Sequence, residues 1–543
     1  MKIERPSLYK TVATLSDLPY SRREFLKGCV AVGALSSLGI MLPIGSAEAA
    51  DIPAPKPGPL PAQTGGKKYE GMVLTVSTLA GPVGKPMKLF KGEWEKATGA
   101  HVTLVEFPFG DIHAKYKAAF ATGTHVADIM DFGSDFDGDI MGGGHLRPVP
   151  SWVRDRLDWS DVLKPYRERI LYWGDTEYAV PYDGDTTSLF YRKDIIADAD
   201  VRKRFEDKMG KPLTAPKSWD EAKEVAKFFT GWDWNKRGSN SYGIALQAKP
   251  NDSQYFFFPA LAAPFVKIHG VTDGIYFDTE NFSPLINNEG WIAALELWKE
   301  MTSYAPPAVL NSGFAEVRAQ FVGRDAFMAM DWADMGTLSY NPKQSQVVGK
   351  VGFSLVPGVE RVFDYKTGNW KKLKGINVAP FLAWNGWATG VPKTTSDEKA
   401  EACFDFLTFM ASKQISMKSV VTPDSGINPW RKFHVENVEA WVAGSPYQKK
   451  NGIPYGFPTK EDAEGYLNTL RSVYDNPNVV PDLRVPGAFD YFNALDQNVT
   501  LVVAGEMSAK KGLDKAAKDF DRITKSLGGH KKQLRYYRAS LGM

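Results

Sequence analysis

Residues 178–194 read Tyr-Ala-Val-Pro-Tyr-Asp-Gly-Asp-Thr-Thr-Ser-Leu-Phe-Tyr-Arg-Lys-Asp, and they restrict the folds open to this chain more than any other stretch. Ala179 and Val180 read as the end of a strand. Pro181 has no amide hydrogen to donate, so the strand cannot continue as a central one. Asp183-Gly184-Asp185 is turn chemistry, after which Ser188-Leu189-Phe190-Tyr191 resume an extended apolar pattern. Taken alone, a polar bend between two strands fits a surface hairpin as well as a crossing between two sheets, so its neighbours must decide.

A chain of 543 residues exceeds what one hydrophobic core usually serves, so two lobes are expected. The first 49 residues fall outside the fold. Ser21-Arg22-Arg23-Glu24-Phe25-Leu26-Lys27 precedes a mild apolar run from Cys29 to Ile44 and then Ala47-Glu48-Ala49, the layout of a cleaved signal peptide. The motif resembles a twin-arginine export signal, with cleavage after Ala49, and implies a periplasmic protein. With Cys29 removed, Cys403 stands alone and no intrachain disulfide is possible. The whole chain carries a net charge of +3, about +1 without the signal, so neither nucleic acid nor an anionic membrane is an implied partner. Residues 50–68 are rich in Pro and Gly and read as an extended leader.

The fold is expected to start with strand, helix, strand, helix, strand. Met72 to Val76, His101 to Val105 and Ala127 to Phe132 read as strands. Lys88 to Thr98 reads as a helix with Leu89, Phe90 and Trp94 on one side and Gly99 as its stop, and Asp111 to Ala121 as a second helix. This alternation is the pattern of a parallel, doubly wound sheet.

Several stretches then carry a family resemblance in serial order. They are Leu89-Phe90 to Thr98-Gly99 with Ala127-Asp128-Ile129, residues 178–194, and Pro216-Lys217-Ser218-Trp219-Asp220-Glu221-Ala222, a helix start with Ser218 as cap and Glu221 as its partner. Gly290 to Met301, Phe321 to Met328, Val351-Gly352-Phe353 with Pro357-Gly358, Ala388 to Lys393, Lys399 to Ser412, and Ala504 to Ser508 before a helix from Lys511 to Ile523 continue the series. On these residues the chain resembles the extracellular solute-binding proteins of ABC importers, the family that contains the maltose-binding protein. The resemblance implies the two-lobe, type II periplasmic binding protein fold, an α/β architecture of doubly wound lobes joined by hinge crossings. It makes residues 178–194 the first crossing, and assigns residues 69–182 and 389–425 to lobe one and 183–388 and 426–529 to lobe two. Residues 231–258 and 359–382 look like insertions, and 530–543 like a basic, solvated terminal helix.

In open α/β lobes ligands settle at the carboxyl ends of strands. The loops there hold Ser77, then Phe109 and Asp111, then Asp135. The resemblance adds Tyr182, Asp183 and Asp185 at the crossing, Trp332 and Asp334 after a strand, Trp384, Asn385 and Trp387 at the return crossing, and Arg431 and Tyr491. Aromatic faces with carboxylates and amides are what a sugar needs, one for its C–H face and the other for its hydroxyls. Asp135-Phe136-Asp137-Gly138-Asp139 lacks the closing glutamate of a calcium loop, and the histidines lack metal-ligand spacing, so no metal or cofactor is expected.

Redox chemistry finds no cysteine pair and no dinucleotide-binding glycine motif. The expectation is a monomeric, non-catalytic binder delivering a carbohydrate or polyol-like solute to permease transmembrane subunits. Two alternatives are a binder of a charged solute such as a polyamine, and a glycoside hydrolase using Asp183 and Asp185.

Overall fold

The computed structural model describes residues 68–271 and 274–543. The export signal and the leader up to residue 67 lie outside the described residues. Among the described residues thirteen strands follow in chain order: β1 Val73–Leu79, β2 His101–Phe107, β3 Ile129–Phe132, β4 Tyr172–Trp173, β5 Thr176–Glu177, β6 Val180–Pro181, β7 Thr187–Arg192, β8 Tyr242–Ala245, β9 Ala326–Trp332, β10 Val351–Ser354, β11 Val359–Asp364, β12 Asn369–Asn377 and β13 Ala388–Gly390. Two larger sheets carry the fold, ordered β2-β1-β3-β13-β6 and β10-β7-β9-β8; β4-β5 and β11-β12 are separate hairpins.

The start of the chain folds as its pattern dictates. β1 runs parallel to both β2 and β3, linked by helices Lys85–Thr98 and Phe109–Thr122. The first helix stops at Gly99, whose φ of 79° only glycine adopts cheaply. Its buried side is Pro86, Met87, Trp94 and Thr98. Leu89, expected on that side, is 53% exposed; the helix meets helix Asp397–Met410 through Trp94, which lies edge-on to Phe406 at 5.2 Å.

Neither sheet is wholly parallel. β13 runs antiparallel to both β3 and β6, and in the second sheet only β8 and β9 are parallel. β6, with Pro181, is the edge strand of its sheet, the one place where the missing N–H costs no ladder bond. The capping box at Ser218 forms as expected: the Glu221 N–H donates to Ser218 Oγ at 3.2 Å and the Ser218 N–H to Glu221 Oε2 at 3.3 Å.

Residues 231–258 are built into the lobe. They supply β8 of the second sheet and the start of helix Gln254–Val266, which is buried on every side and carries Pro259 and Pro264. Residues 359–382 form the β11-β12 hairpin and a following segment. The terminal helix His530–Leu541 is not wholly solvated: Tyr537 is buried against Phe277 and Phe282, at 5.8 and 5.7 Å between ring centroids.

Candidate functional site

β6 belongs to one sheet and β7 to the other, so residues 182–186 cross between them. A second crossing runs back through residues 383–387 into β13, and a third passes through residues 424–430 after helix Lys413–Val421. The three lie side by side and are tied by backbone. The Tyr182 and Asp183 N–H groups both donate to the Trp387 carbonyl, at 3.2 and 2.9 Å, and the Gly184 N–H to the Asn428 carbonyl at 3.2 Å. A β-carbon on Gly184 would lie 2.2 Å from the Pro429 carbonyl oxygen, and one on Gly386 would lie 2.3 Å from that of Asp183, so the chains approach at distances only glycine permits.

Asp183 is the knot of this junction. Its Oδ1 accepts from the Asn428 N–H at 2.5 Å and the Gly184 N–H at 2.8 Å, and its Oδ2 from the Trp387 N–H at 3.4 Å. One carboxylate thereby holds all three crossings. Asp185 Oδ1 accepts from Asn428 Nδ2 at 2.6 Å. Burial, together with the neighbouring Asp183 charge, pushes the Asp185 carboxyl well above the usual range. Tyr182 donates to the Val83 carbonyl at 2.6 Å and Tyr474 reaches the carbonyls of Gly184 and Pro429 at 2.8 and 2.7 Å. Of the expected ligand contacts, Tyr182 and Asp183 thus hold the crossings in place.

An aromatic box lies against the return crossing. Trp384 is ringed by Phe109, Phe136, Phe256 and Trp387 at centroid distances of 5.0, 5.5, 5.1 and 5.0 Å, and Phe256 also meets Trp332 at 5.8 Å. Its indole rests on the backbone of Gly133, where a β-carbon would sit 1.7 Å from Nε1. Trp384, Asn385 and Gly386 have φ of 73°, 61° and 83°, three consecutive left-handed residues of which two carry side chains. Such strain persists only where surrounding contacts enforce it. Here Trp332 Nε1 donates to the Ala383 carbonyl at 3.0 Å, the Ser134 N–H to the Trp384 carbonyl at 3.1 Å, and the Asp482 N–H to Asn385 Oδ1 at 2.8 Å.

Beside the box stand two acids, Asp135 and Asp482. Asp482 accepts from the Trp384 and Leu483 N–H groups at 3.2 and 2.8 Å and from Tyr276 Oη at 3.0 Å. Burial still pushes it up to about 7, with those donors pulling back. Asp135 is raised well above its ordinary value by burial and then by the charges of Asp482 and Asp137. Asp135 Oδ1, Trp384 Nε1 and Asn385 Nδ2 are buried with no hydrogen-bond partner in the protein, which is costly for a chain that does not use them. One acceptor and two donors therefore stay unspent around the same aromatic wall.

The other expected residues fall elsewhere. Asp334 and Asp331 share the Arg318 guanidinium, at 2.6 and 3.1 Å. Asp111 is exposed on helix Phe109–Thr122. Ser77 is buried against Tyr116, 2.5 Å between oxygens. Arg431 spends its guanidinium on Asp161 and the carbonyls of Leu157 and Ala411. Tyr491 packs on Phe277 and Phe520 and pairs with Thr524 at 2.9 Å. Asp135-Phe136-Asp137-Gly138-Asp139 is helical rather than a loop, part of Ser134–Ile140, with Asp137 ion-paired to Arg484 at 2.6 Å. Among the described residues no cluster of three or more His, Cys, Asp or Glu is arranged to hold a metal. Asp482, Tyr474 and Tyr276 were not picked out from sequence. Asp482 closes the Pro-flanked run Asn-Pro-Asn-Val-Val-Pro-Asp, where an acid after two valines is the one usable signal.

Residues 92–453 match the family model described as bacterial extracellular solute-binding protein. This chain belongs to that family. The family consists of transport proteins that bind solutes, and the solute-binding protein described here shares its two-lobe α/β fold with solved members. A ribitol-complexed ABC transporter solute-binding protein from Agrobacterium radiobacter aligns over 84% of this chain and 100% of its own, with TM-score 0.64 and 20% identity. A D-mannitol-bound one from Agrobacterium vitis aligns over 84% and 99%, with TM-score 0.60 and 23% identity. By sequence, the mannitol-binding protein of Pseudomonas aeruginosa is 24% identical over 310 residues, 56% of this chain and 61% of that one. A probable amino-acid ABC transporter periplasmic-binding protein of Sinorhizobium fredii is 22% identical over 317 residues, 58% and 66%. The chain therefore matches just under two thirds of the length of these curated relatives.

Proposed function

We propose that this solute-binding protein is the substrate-binding component of an ABC importer, closing its two lobes on a carbohydrate or polyol-like solute and presenting the closed form to the permease transmembrane subunits. The observation that carries the reading is the unspent set at the aromatic box: Asp135 Oδ1 as acceptor, Trp384 Nε1 and Asn385 Nδ2 as donors. A hydroxyl both donates and accepts, so adjacent hydroxyls satisfy all three, while Trp384 and Phe109 cover the C–H face. The relatives bound to mannitol and ribitol support the same solute class. The lobes are residues 69–182 with 389–425, and 183–388 with 426–529, a division supported by the origin of the strands in each sheet. The protein acts as a monomer in the periplasm, exported by the twin-arginine route. It is non-catalytic: the Asp183 carboxylate is occupied by backbone N–H groups at 2.5, 2.8 and 3.4 Å, which argues against a hydrolytic pair with Asp185.

A charged solute is the second reading, favoured by Asp135 and Asp482 acting on each other electrostatically in a buried setting and by the amino-acid transporter relative. A polyamine offers no acceptor, however, and leaves the Trp384 and Asn385 donors unpaired, whereas an amino acid pairs them through its carboxylate. Titration calorimetry against sugars, polyols, polyamines and amino acids separates the two. Heat with a polyol or sugar is expected; response to charged solutes alone would replace the solute class, and turnover of a glycoside would end the binder reading.

A further inference from the structure

The second sheet holds a group of buried polar side chains that the aromatic box does not use. Along β7, β8 and β9 successive side chains alternate between the faces of the sheet. Leu189, Ile244, Leu246, Met328 and Met330 belong to the large core on one face. Phe190, Ala245 and Ala329 lie on the other, packed with Val317 and Phe321 of helix Phe314–Val322. The same parity places Ser188 and Asp331 on that helix-covered face. β8 pairs with β9 up to Ala245↔Ala329 and ends there; Gln247 follows two residues on, and the next residue, Ala248, donates its N–H to the Ser312 carbonyl at 3.0 Å. Asp331 in turn pairs with Ser188 across β7.

This row stands at the carboxyl ends of the parallel strands β8 and β9, next to the first crossing, where an α/β lobe receives its ligand. Asp331 is satisfied: Arg318 Nε and Nη2 reach its two oxygens at 3.2 and 3.1 Å and the Trp332 N–H donates at 2.6 Å. Other polar side chains at these strand ends are not. Gln247 is fully buried, with 0% exposure, yet neither its Nε2 nor its Oε1 has a partner, and Ser188 Oγ and Thr186 Oγ1 are also buried without one. A carboxamide with both ends unpaired in a protein interior costs several hydrogen bonds' worth of desolvation. A side chain of that kind at a strand's carboxyl end is explained when something binds it.

We propose that Gln247, with Ser188 and Thr186, forms a lobe-two subsite that takes a vicinal hydroxyl pair of the solute. This inference rests on the polyol reading above and adds a specificity-determining residue to it. The amide presents one N–H and one carbonyl lone pair in a single plane, which matches two adjacent hydroxyls, one accepting and one donating. Arg318 is already spent on Asp331 and Asp334, so the chemistry left on this face is that of neutral hydroxyls.

The test is calorimetry of D-mannitol, ribitol and a series of deoxy-mannitols with the wild-type protein, Gln247→Met and Ser188→Ala. Gln247→Met keeps the length and apolar body of the side chain and removes both hydrogen-bonding ends. We expect it to weaken D-mannitol binding by roughly tenfold or more while leaving the melting temperature unchanged or raised. The loss should shrink for the deoxy analogues that lack either hydroxyl of the pair held by Gln247 and stay full for the others. Ser188→Ala should show a smaller loss with the same analogue dependence, and it serves if Gln247→Met fails to fold. An equal loss for every analogue would assign Gln247 a purely structural role, and unchanged affinity would mean the amide holds only water; either overturns the proposal. A wild-type protein that binds no polyol at all sinks the polyol reading itself, before any variant is measured.

Discussion

Asp183 shows how a side chain with ligand-like chemistry is used for structure. Three backbone N–H groups from three crossings converge on its carboxylate, at 2.5, 2.8 and 3.4 Å. Asp183→Asn turns one acceptor into a donor facing an N–H, so thermal unfolding should show a loss of ~1–3 kcal/mol. An unchanged melting curve would mean these bonds do not hold the crossings. Asp482 gives a pH signature. Burial raises its folded pKa from an ordinary carboxylate value to about 7, so the folded state holds the proton more tightly than the unfolded chain. Its contribution to stability is full below pH ~4 and is lost as pH rises through about 7. Ligand-free protein should therefore melt higher at pH 5.5 than at pH 8, with the difference reduced in Asp482→Asn; identical pH dependence in both proteins would contradict this. Sequence alone named Asp183 and Trp384 but not their tasks, since Asp183 acquires its donors from residues 387 and 428, more than 200 positions away, through contacts that no local pattern encodes.

At the scale of elements, local pattern was legible where it was periodic. The βαβαβ start, the Gly99 stop and the Ser218 capping box follow from spacing and cap chemistry. What was not legible depends on pairing: β13 enters the first sheet antiparallel, and β8 joins the second sheet from a stretch that reads as an insertion, which hid Gln247 at its end. The return crossing shows the same dependence on distant partners. Trp384 adopts φ 73° because its indole lies on Gly133 and its backbone is held by Ser134 and Asp482. Gly133→Ala should expel the indole, costing ~1–3 kcal/mol as an overpacked site does and abolishing polyol binding. Retained binding with native tryptophan fluorescence would show that the indole has room to move.

For the whole molecule, two sheets are joined by three crossings, and a solute that contacts both lobes biases such an arrangement toward closure. Small-angle scattering should record a smaller radius of gyration when a bound polyol is added to the open form; an unchanged value would indicate a site confined to one lobe. On the proposed reading the solute lies at the aromatic box and bridges the lobes. The most direct measurement is an electron-density map of the protein crystallised with D-mannitol or with the solute it retains on purification. A hydroxylated molecule within hydrogen-bonding distance of Trp384 Nε1, Asn385 Nδ2 and Asp135 Oδ1 is expected; a solute that touches none of these three, or a cation between Asp135 and Asp482, would contradict it.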